Sequence, residues 1–226
     1  MDLDALVFDF DGLILDTEWT DYVSVSEAFT DHGVELPLAE WRAGVGAIDP
    51  RHWSAWLEDL VGRPIDRETV RAKRLARHHA LVAEERVRPG VVKLLDEAAA
   101  AGIPVGVASS SGRSWVVPHL DRLGLLPRFG AVFSRDDVER PKPAPDLYLA
   151  ATAALGARPS RSIAFEDSAH GATAARAAGL RCVVAPNRMT ADQDFTPADL
   201  VVSSLAEVRL ADLVALVDAT ADARLS

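Results

Sequence analysis

Five short apolar segments, each closed by a polar or glycine-bearing turn, constrain this chain more than any other feature of its sequence. They are Ala5–Phe8, Pro104–Ala108, Ala131–Phe133, Ser162–Phe165 and Arg181–Val184. Continuous apolar runs of this length, bounded by turns, read as buried strands. Between them lie stretches of helical composition at Val91–Ala101, Trp115–Leu123, Asp146–Leu155 and Ala169–Ala178, which stop at Gly102, Gly124, Gly156 and Gly179. A glycine just past the last helical residue is the usual C-terminal cap. Strand and helix in alternation build right-handed βαβ units, and these predict a parallel sheet with helices on both faces. Ligands in such sheets bind beyond the carboxyl ends of the strands, which is where this chain carries its acidic residues.

The expected fold class is therefore α/β, a Rossmann-like doubly wound parallel sheet, with one interruption. Between Thr17 and Arg86 no convincing strand occurs and the composition turns helical, with Trp19, Trp41, Trp53 and Trp56 set among charged residues. This stretch reads as a small inserted α-helical cap domain at residues 17–86, and residues 1–16 and 87–226 form the α/β core domain. A chain of 226 residues is long enough for one ordinary domain plus a small insert. Trp53 and Trp56, three apart on a helix, are expected to pack a small core rather than to stack on a ligand.

Charge and cysteine usage narrow the partners. The chain has 24 Lys and Arg against 34 Asp and Glu, a net charge of −10, which disfavours a nucleic-acid partner. The single cysteine, Cys182, sits in an apolar run and reads as a buried strand thiol, in keeping with a reducing cytoplasm. Asp2 and Asp4 stand where a secretory signal would carry positive charge, and no apolar run is long enough to span a bilayer, so no membrane partner is expected.

Four motifs carry candidate chemistry. Asp9-Phe10-Asp11-Gly12 puts two carboxylates at a strand end, where one can attack while the other moves a proton, and Gly12 allows a sharp turn. Acidic pairs in that position are also common as plain turn residues. Ser109 opens a small polar turn with Ser110, Ser111 and Gly112 whose hydroxyl and amides suit phosphate oxygens; an ordinary serine helix cap has the same look. Lys142 lies between Pro141 and Pro143, in a backbone stiffened for aiming an ammonium at developing negative charge, although lysine beside proline also marks exposed loops. Glu166-Asp167-Ser168 ends another strand; Asp167 and Asp9 can share a magnesium ion, and Asp167 can equally cap the following helix.

Taken in order, these motifs resemble those of the haloacid dehalogenase superfamily of phosphotransferases, over nearly the whole chain. The longer strings DFDGLILDT (Asp9–Thr17), KPAPDLY (Lys142–Tyr148) and EDSAHGATAARAAG (Glu166–Gly179) are similar to the subfamily of β-phosphoglucomutase and many sugar phosphatases. The resemblance implies a magnesium-dependent phosphatase with Asp9 as nucleophile forming an aspartyl-phosphate and Asp11 as general acid and then base. It implies metal ligation by the Asp9 carboxylate, the Asp11 backbone carbonyl and Asp167, with Glu166 assisting. Ser109, Ser110, Gly12 and Lys142 are the implied phosphate-binding set. The partner implied is a small phosphorylated metabolite, and the state expected is a monomer or weak dimer.

In this family the helical insert covers the active site and presents groups to the non-phosphate part of the substrate. Glu18, Asp21, Lys73 and Arg74 are the candidate specificity residues; for Lys73 and Arg74 the competing reading is a solvated basic helix face shared with Arg71 and Arg77. The mutase branch requires a histidine where this chain has Asp21, and a Gly-x-Ser-Arg-like turn where it reads Gly46-Ala47-Ile48-Asp49-Pro50, so hydrolysis is expected over β-phosphoglucomutase-type transfer. His170, beside the acidic motif, is expected on a helix surface. A metal-free dehalogenase lacks the second acidic residue of the first motif, and a phosphonate-cleaving relative carries a small residue there; Asp11 counts against both. A phosphate-sensing or scaffold domain without turnover is the non-enzymatic alternative.

Overall fold

A computed structural model describes residues 3–45 and 52–222. Along the chain run β1 (Ala5–Phe8), α1 (Thr17–Thr30), α2 (Leu38–Gly44), α3 (Trp53–Val61), α4 (Arg67–Glu84), α5 (Val91–Ala101), β2 (Val105–Ala108) and α6 (Arg113–Arg122). They are followed by β3 (Ala131–Phe133), α7 (Asp146–Ala154), β4 (Ser162–Glu166), α8 (Ala169–Ala177), β5 (Arg181–Val184), β6 (Leu200–Val201) and α9 (Leu210–Asp222), with short 3-10 turns between. The chain forms two compact units, one running to Leu15 and resuming at Val87, the other spanning Asp16–Arg86.

In the first unit six parallel strands lie in the order β3-β2-β1-β4-β5-β6. The chain builds outward from β1 to β3, then crosses back to place β4 on the other side of β1. The strand order therefore reverses between β1 and β4, and the carboxyl ends at such a switch point are where open α/β sheets carry a ligand crevice. The register pairs Phe8 with Phe165, so the residues that follow them, Asp9 and Glu166, arrive side by side. β2 begins at Val105 and not at Pro104, because proline has no N–H for the ladder, although its carbonyl still accepts from the Leu6 N–H at 3.1 Å.

β1, β2 and β4 are buried along their whole length, the pattern of a sheet covered on both faces. On one face Val7, Ala164, Cys182 and Val184 pack with Leu147, Tyr148 and Ala151 of α7 and with Ala172, Ala174 and Ala175 of α8. Small side chains on α8 let the helix lie close to the strands. Burial, with the charge of Glu166 adding to it, pushes the Cys182 thiol well above its ordinary pKa, so it behaves as a small apolar filler. The alternate residues Phe8 and Phe165 point to the opposite face, where their rings lie 4.6 Å apart.

The second unit is helical. Val25, Phe29, Leu36 and Leu57 form its buried centre, with Tyr22, Trp41, Trp53 and Trp56 packed against it. Trp56 meets Phe29 edge-on at 5.8 Å, so the two tryptophans three apart serve packing, as their spacing indicates. Asp16 and Asp66 cap α1 and α4 by accepting from the Trp19 and Thr69 N–H groups. Among the described residues no helix is long and apolar enough to cross a membrane.

Candidate active site

Asp9 stands one residue beyond β1, and its N–H donates to the Phe165 carbonyl at 2.9 Å, extending the ladder to the strand end. Lys142, carried by the proline-flanked loop before α7, donates to Asp9 Oδ1 at 2.5 Å and to Glu166 Oε1 at 2.6 Å. The Tyr148 hydroxyl donates to the same Glu166 oxygen, and the Lys142 ammonium lies 5.0 Å above the Tyr148 ring. Asp9, Glu166 and Asp167 are all buried. Burial, reinforced by the charges of Glu166 and Asp11 and opposed by Lys142, pushes the Asp9 carboxyl up to about 8. Burial alone would lower Lys142, but the charges of Asp9 and Glu166 outweigh it and hold the ammonium above its ordinary value.

Two glycines make room for this cluster. Gly12 has φ +75°, and a Cβ there would collide with Asp167 Oδ2 and Asn187 Nδ2. Gly171, in the first turn of α8, lies against the Glu166 carboxylate, which a Cβ would displace. The Asn187 amide donates to Asp167 Oδ2 at 2.7 Å and to the Gly12 carbonyl at 3.3 Å. Its own oxygen accepts from the Met189 and Thr190 N–H groups at 2.7 and 3.2 Å, which fixes which way the amide faces. Arg88 donates to the same Gly12 carbonyl and to the Pro186 carbonyl, tying the loop after β1 to the loop after β5.

Asp11 is half-buried and faces the loop after β2. The Ser109 hydroxyl donates to its Oδ2 at 3.3 Å, and the Trp115 indole N–H donates to its Oδ1 at 2.8 Å. Ser109 is fully buried and also accepts from the Ser111 N–H at 3.0 Å, so it both closes the turn and reaches the first motif. Ser110 is exposed on that turn. The α/β unit thus gathers Asp9, Asp11, Gly12, Ser109, Lys142, Glu166 and Asp167 at the switch point.

The other four expected residues belong to the helical unit. Glu18 lies in the first turn of α1, Asp21 pairs with Arg74, and Lys73 donates to Asp31 at 2.6 Å. Burial draws the Arg74 guanidinium down to about 10. Lys73 and Arg74, with Arg77, Glu27 and Asp31, line a cavity of about 440 Å³ between α1 and α4. The turn Gly46–Pro50 lies outside the described residues. His170 is half-buried rather than exposed, with an imidazole Nδ1 that has no hydrogen-bond partner.

Tyr148, Arg88, Asn187 and Trp115 complete the site without having been singled out in the sequence. Tyr148 falls inside the KPAPDLY string, but Arg88 and Trp115 meet the first motif across 76 and 104 residues, and Asn187 joins Asp167, 20 residues back, to the Gly12 carbonyl 175 residues away, so no local pattern marks these three.

The donor set suits a hard divalent cation. Oxygens of Asp9, Glu166 and Asp167 all lie within 4.8 Å of one another, and carboxylate oxygen is the ligand magnesium prefers.

The profile of haloacid dehalogenase-like hydrolases matches residues 3–179. The chain is a haloacid dehalogenase-like hydrolase. Its relatives in this family include the YhcW protein of Bacillus subtilis (strain 168), which carries a provisional phosphatase name and is 41% identical over 210 residues, 93% of this chain and 96% of that one. Validoxylamine A 7'-phosphate phosphatase of Streptomyces hygroscopicus subsp. limoneus is 29% identical over 203 residues, covering 90% of this chain and 94% of its own. Among solved haloacid dehalogenase-like folds, a variant of CbbY from Rhodobacter sphaeroides in complex with xylulose-(1,5)bisphosphate superposes with a TM-score of 0.73 at 29% identity, over 93% of this chain and 99% of that one.

Proposed function

We propose that this hydrolase is a magnesium-dependent phosphatase that cleaves a small phosphate monoester, a sugar phosphate, through an aspartyl-phosphate on Asp9. The observation that carries the reading is the buried Lys142 ammonium bonded to both Asp9 and Glu166 at the carboxyl ends of β1 and β4. A buried cation beside a buried carboxylate nucleophile is the pairing phosphoryl transfer needs, because charge develops on the transferring oxygens. The phosphatase names of two relatives and the sugar bisphosphate bound by CbbY support the substrate class.

The Asp9 carboxylate, Asp167 and the Asp11 backbone carbonyl, with Glu166 beside them, are the groups assigned to magnesium. When bound, the ion would offset the negative charge of the phosphoryl oxygens and of the carboxylates that surround them. Glu166 has a second task, since its Oε1 accepts from both Lys142 and Tyr148 and so aims the ammonium. Ser109 and Lys142, with the Ser110 and Gly12 backbone nearby, would hold the phosphoryl oxygens.

An Asp9 carboxylate oxygen attacks phosphorus as the bond to the leaving oxygen breaks, and that oxygen keeps the electron pair and takes a proton from Asp11. Water then attacks the aspartyl-phosphate, gives a proton to the Asp11 carboxylate, and the electron pair of the broken bond returns to Asp9. Inorganic phosphate and the starting enzyme result. The helical unit at residues 17–86 is assigned as the cap, with Glu18, Asp21, Lys73 and Arg74 as its candidate specificity residues.

Phosphate release from a panel of sugar phosphates and from 4-nitrophenyl phosphate, with magnesium and with chelator, tests the reading. Release is expected with magnesium alone and not from Asp9→Asn; no release from any ester, or equal release by Asp9→Asn, would falsify it. The mutase reading is disfavoured by Asp21, which pairs with Arg74 where a histidine is required. Conversion of β-glucose 1-phosphate to the 6-phosphate with a bisphosphate primer, and little free phosphate, would restore it.

A further inference from the structure

Trp115, in the first turn of α6, brings an indole N–H to 2.8 Å from Asp11 Oδ1. The Ser109 hydroxyl faces the other oxygen, Oδ2, at the longer distance of 3.3 Å. The indole is braced. His119, one turn further along α6, meets it edge-on with centroids 4.4 Å apart, and His119 in turn stacks on Phe10 at 6.3 Å. Phe10 is fully buried and lies between the two aspartates of the first motif. The ring that holds Asp11 is thus anchored on the same loop that carries Asp11.

The two donors differ in kind. An indole N–H only donates, so the oxygen it faces remains an acceptor whether or not the carboxyl carries a proton, whereas a serine hydroxyl donates or accepts as required. We propose that Trp115 is a positioning residue for the hydrolysis: by fixing Asp11 Oδ1 it leaves Oδ2 as the oxygen that passes a proton to the leaving alcohol and later takes one from water. The inference rests on Asp11 being the acid and base of the reaction proposed above. As the phosphorus–oxygen bond of the ester breaks, its electron pair stays on the leaving oxygen, which receives the Oδ2 proton; attack by water on the aspartyl-phosphate returns a proton to Oδ2.

Trp115→Phe keeps an aromatic ring against His119 and removes only the donor. Its kcat/KM is compared for an alkyl phosphate, whose alkoxide needs a proton to leave, and for 4-nitrophenyl phosphate, whose phenolate does not. The alkyl ester is expected to lose about tenfold, the scale of one hydrogen bond to a charged acceptor, and the aryl ester less than about twofold. Equal losses on both esters, or none on either, overturn the proposal.

A second measurement needs no turnover. The indole ¹H–¹⁵N resonance of Trp115, assigned by its absence in Trp115→Phe, is expected to shift upfield in Asp11→Ala as the hydrogen bond is lost; an unmoved resonance overturns the proposal. A protein that hydrolyses neither ester sinks the phosphatase reading, and the resonance then decides the Trp115–Asp11 contact by itself.

Discussion

The ion set at the site of the α/β unit and the exposed ion pairs of α4 in the helical unit treat charge in opposite ways. In the α/β unit the Lys142 side chain is 6% exposed and bonds two buried carboxylates, whereas in the helical unit the Lys73 side chain is 74% exposed and bonds Asp31, itself half exposed. Arg77 likewise meets Glu27 at the surface in two hydrogen bonds of 2.8 and 2.9 Å. A buried ion set is held by every partner at once, so removing one member leaves others uncompensated, while an exposed pair is already satisfied by water. The first arrangement keeps reacting groups in place. The second leaves a surface free to change.

The largest effect is expected from Lys142→Ala. Turnover should fall by about 10³-fold, the upper range for losing one electrostatic stabiliser of a transition state. Stability in chelator should fall by about 3 kcal/mol, because Asp9 and Glu166 then stay buried without their cation. Phosphate release and urea unfolding read the two effects separately; a variant near parental in both would erase the contrast between the units.

Matched glycine substitutions sharpen it. Gly171→Ala pushes a methyl into the Glu166 carboxylate and should cost about 3 kcal/mol, together with most of the turnover. Gly62→Ala, at a left-handed helix end with nothing within 4 Å, should cost about 1 kcal/mol and leave turnover intact. Thermal melts and rates on the two variants would refute the comparison if they ranked the other way.

Asn187→Leu removes the amide that holds Asp167 Oδ2 and leaves the carboxylate proposed as the magnesium ligand in place. Magnesium affinity by titration calorimetry is expected to weaken by about 10- to 100-fold, the usual scale for loss of a group that orients a ligand. At the small end, Lys73→Ala and Asp31→Ala should leave the melting temperature within measurement error at both low and high salt.

The sheet was legible because strand and helix differ in period and because the helices stop at glycines such as Gly102 and Gly179. β6 was not. Leu200 and Val201 are only two residues long and exposed, and their pairing with Val183 and Val184 depends on a neighbour that no local pattern announces. α9 was missed as well, since its apolar residues follow the last recognised strand without a matching motif.

At the site, Asp9, Lys142 and Glu166 could be read because each sits at a strand end or in a stiffened loop with its own local signature. Asn187, Arg88 and Trp115 could not, because a hydrogen bond between Trp115 and Asp11 joins residues 104 positions apart and leaves both side chains looking ordinary in sequence. His170, expected on a helix surface beside the acidic motif, is half-buried on α8.

The central claim is that Asp9 becomes covalently phosphorylated. Acid quench of the enzyme within its first turnovers on a ³²P-labelled ester, followed by peptide mapping, tests it most directly. Label that is released by hydroxylamine and maps to the peptide bearing Asp9, and that is absent in Asp9→Asn, is the result predicted. Continued phosphate release with no protein-bound label, or label on another residue, would contradict it.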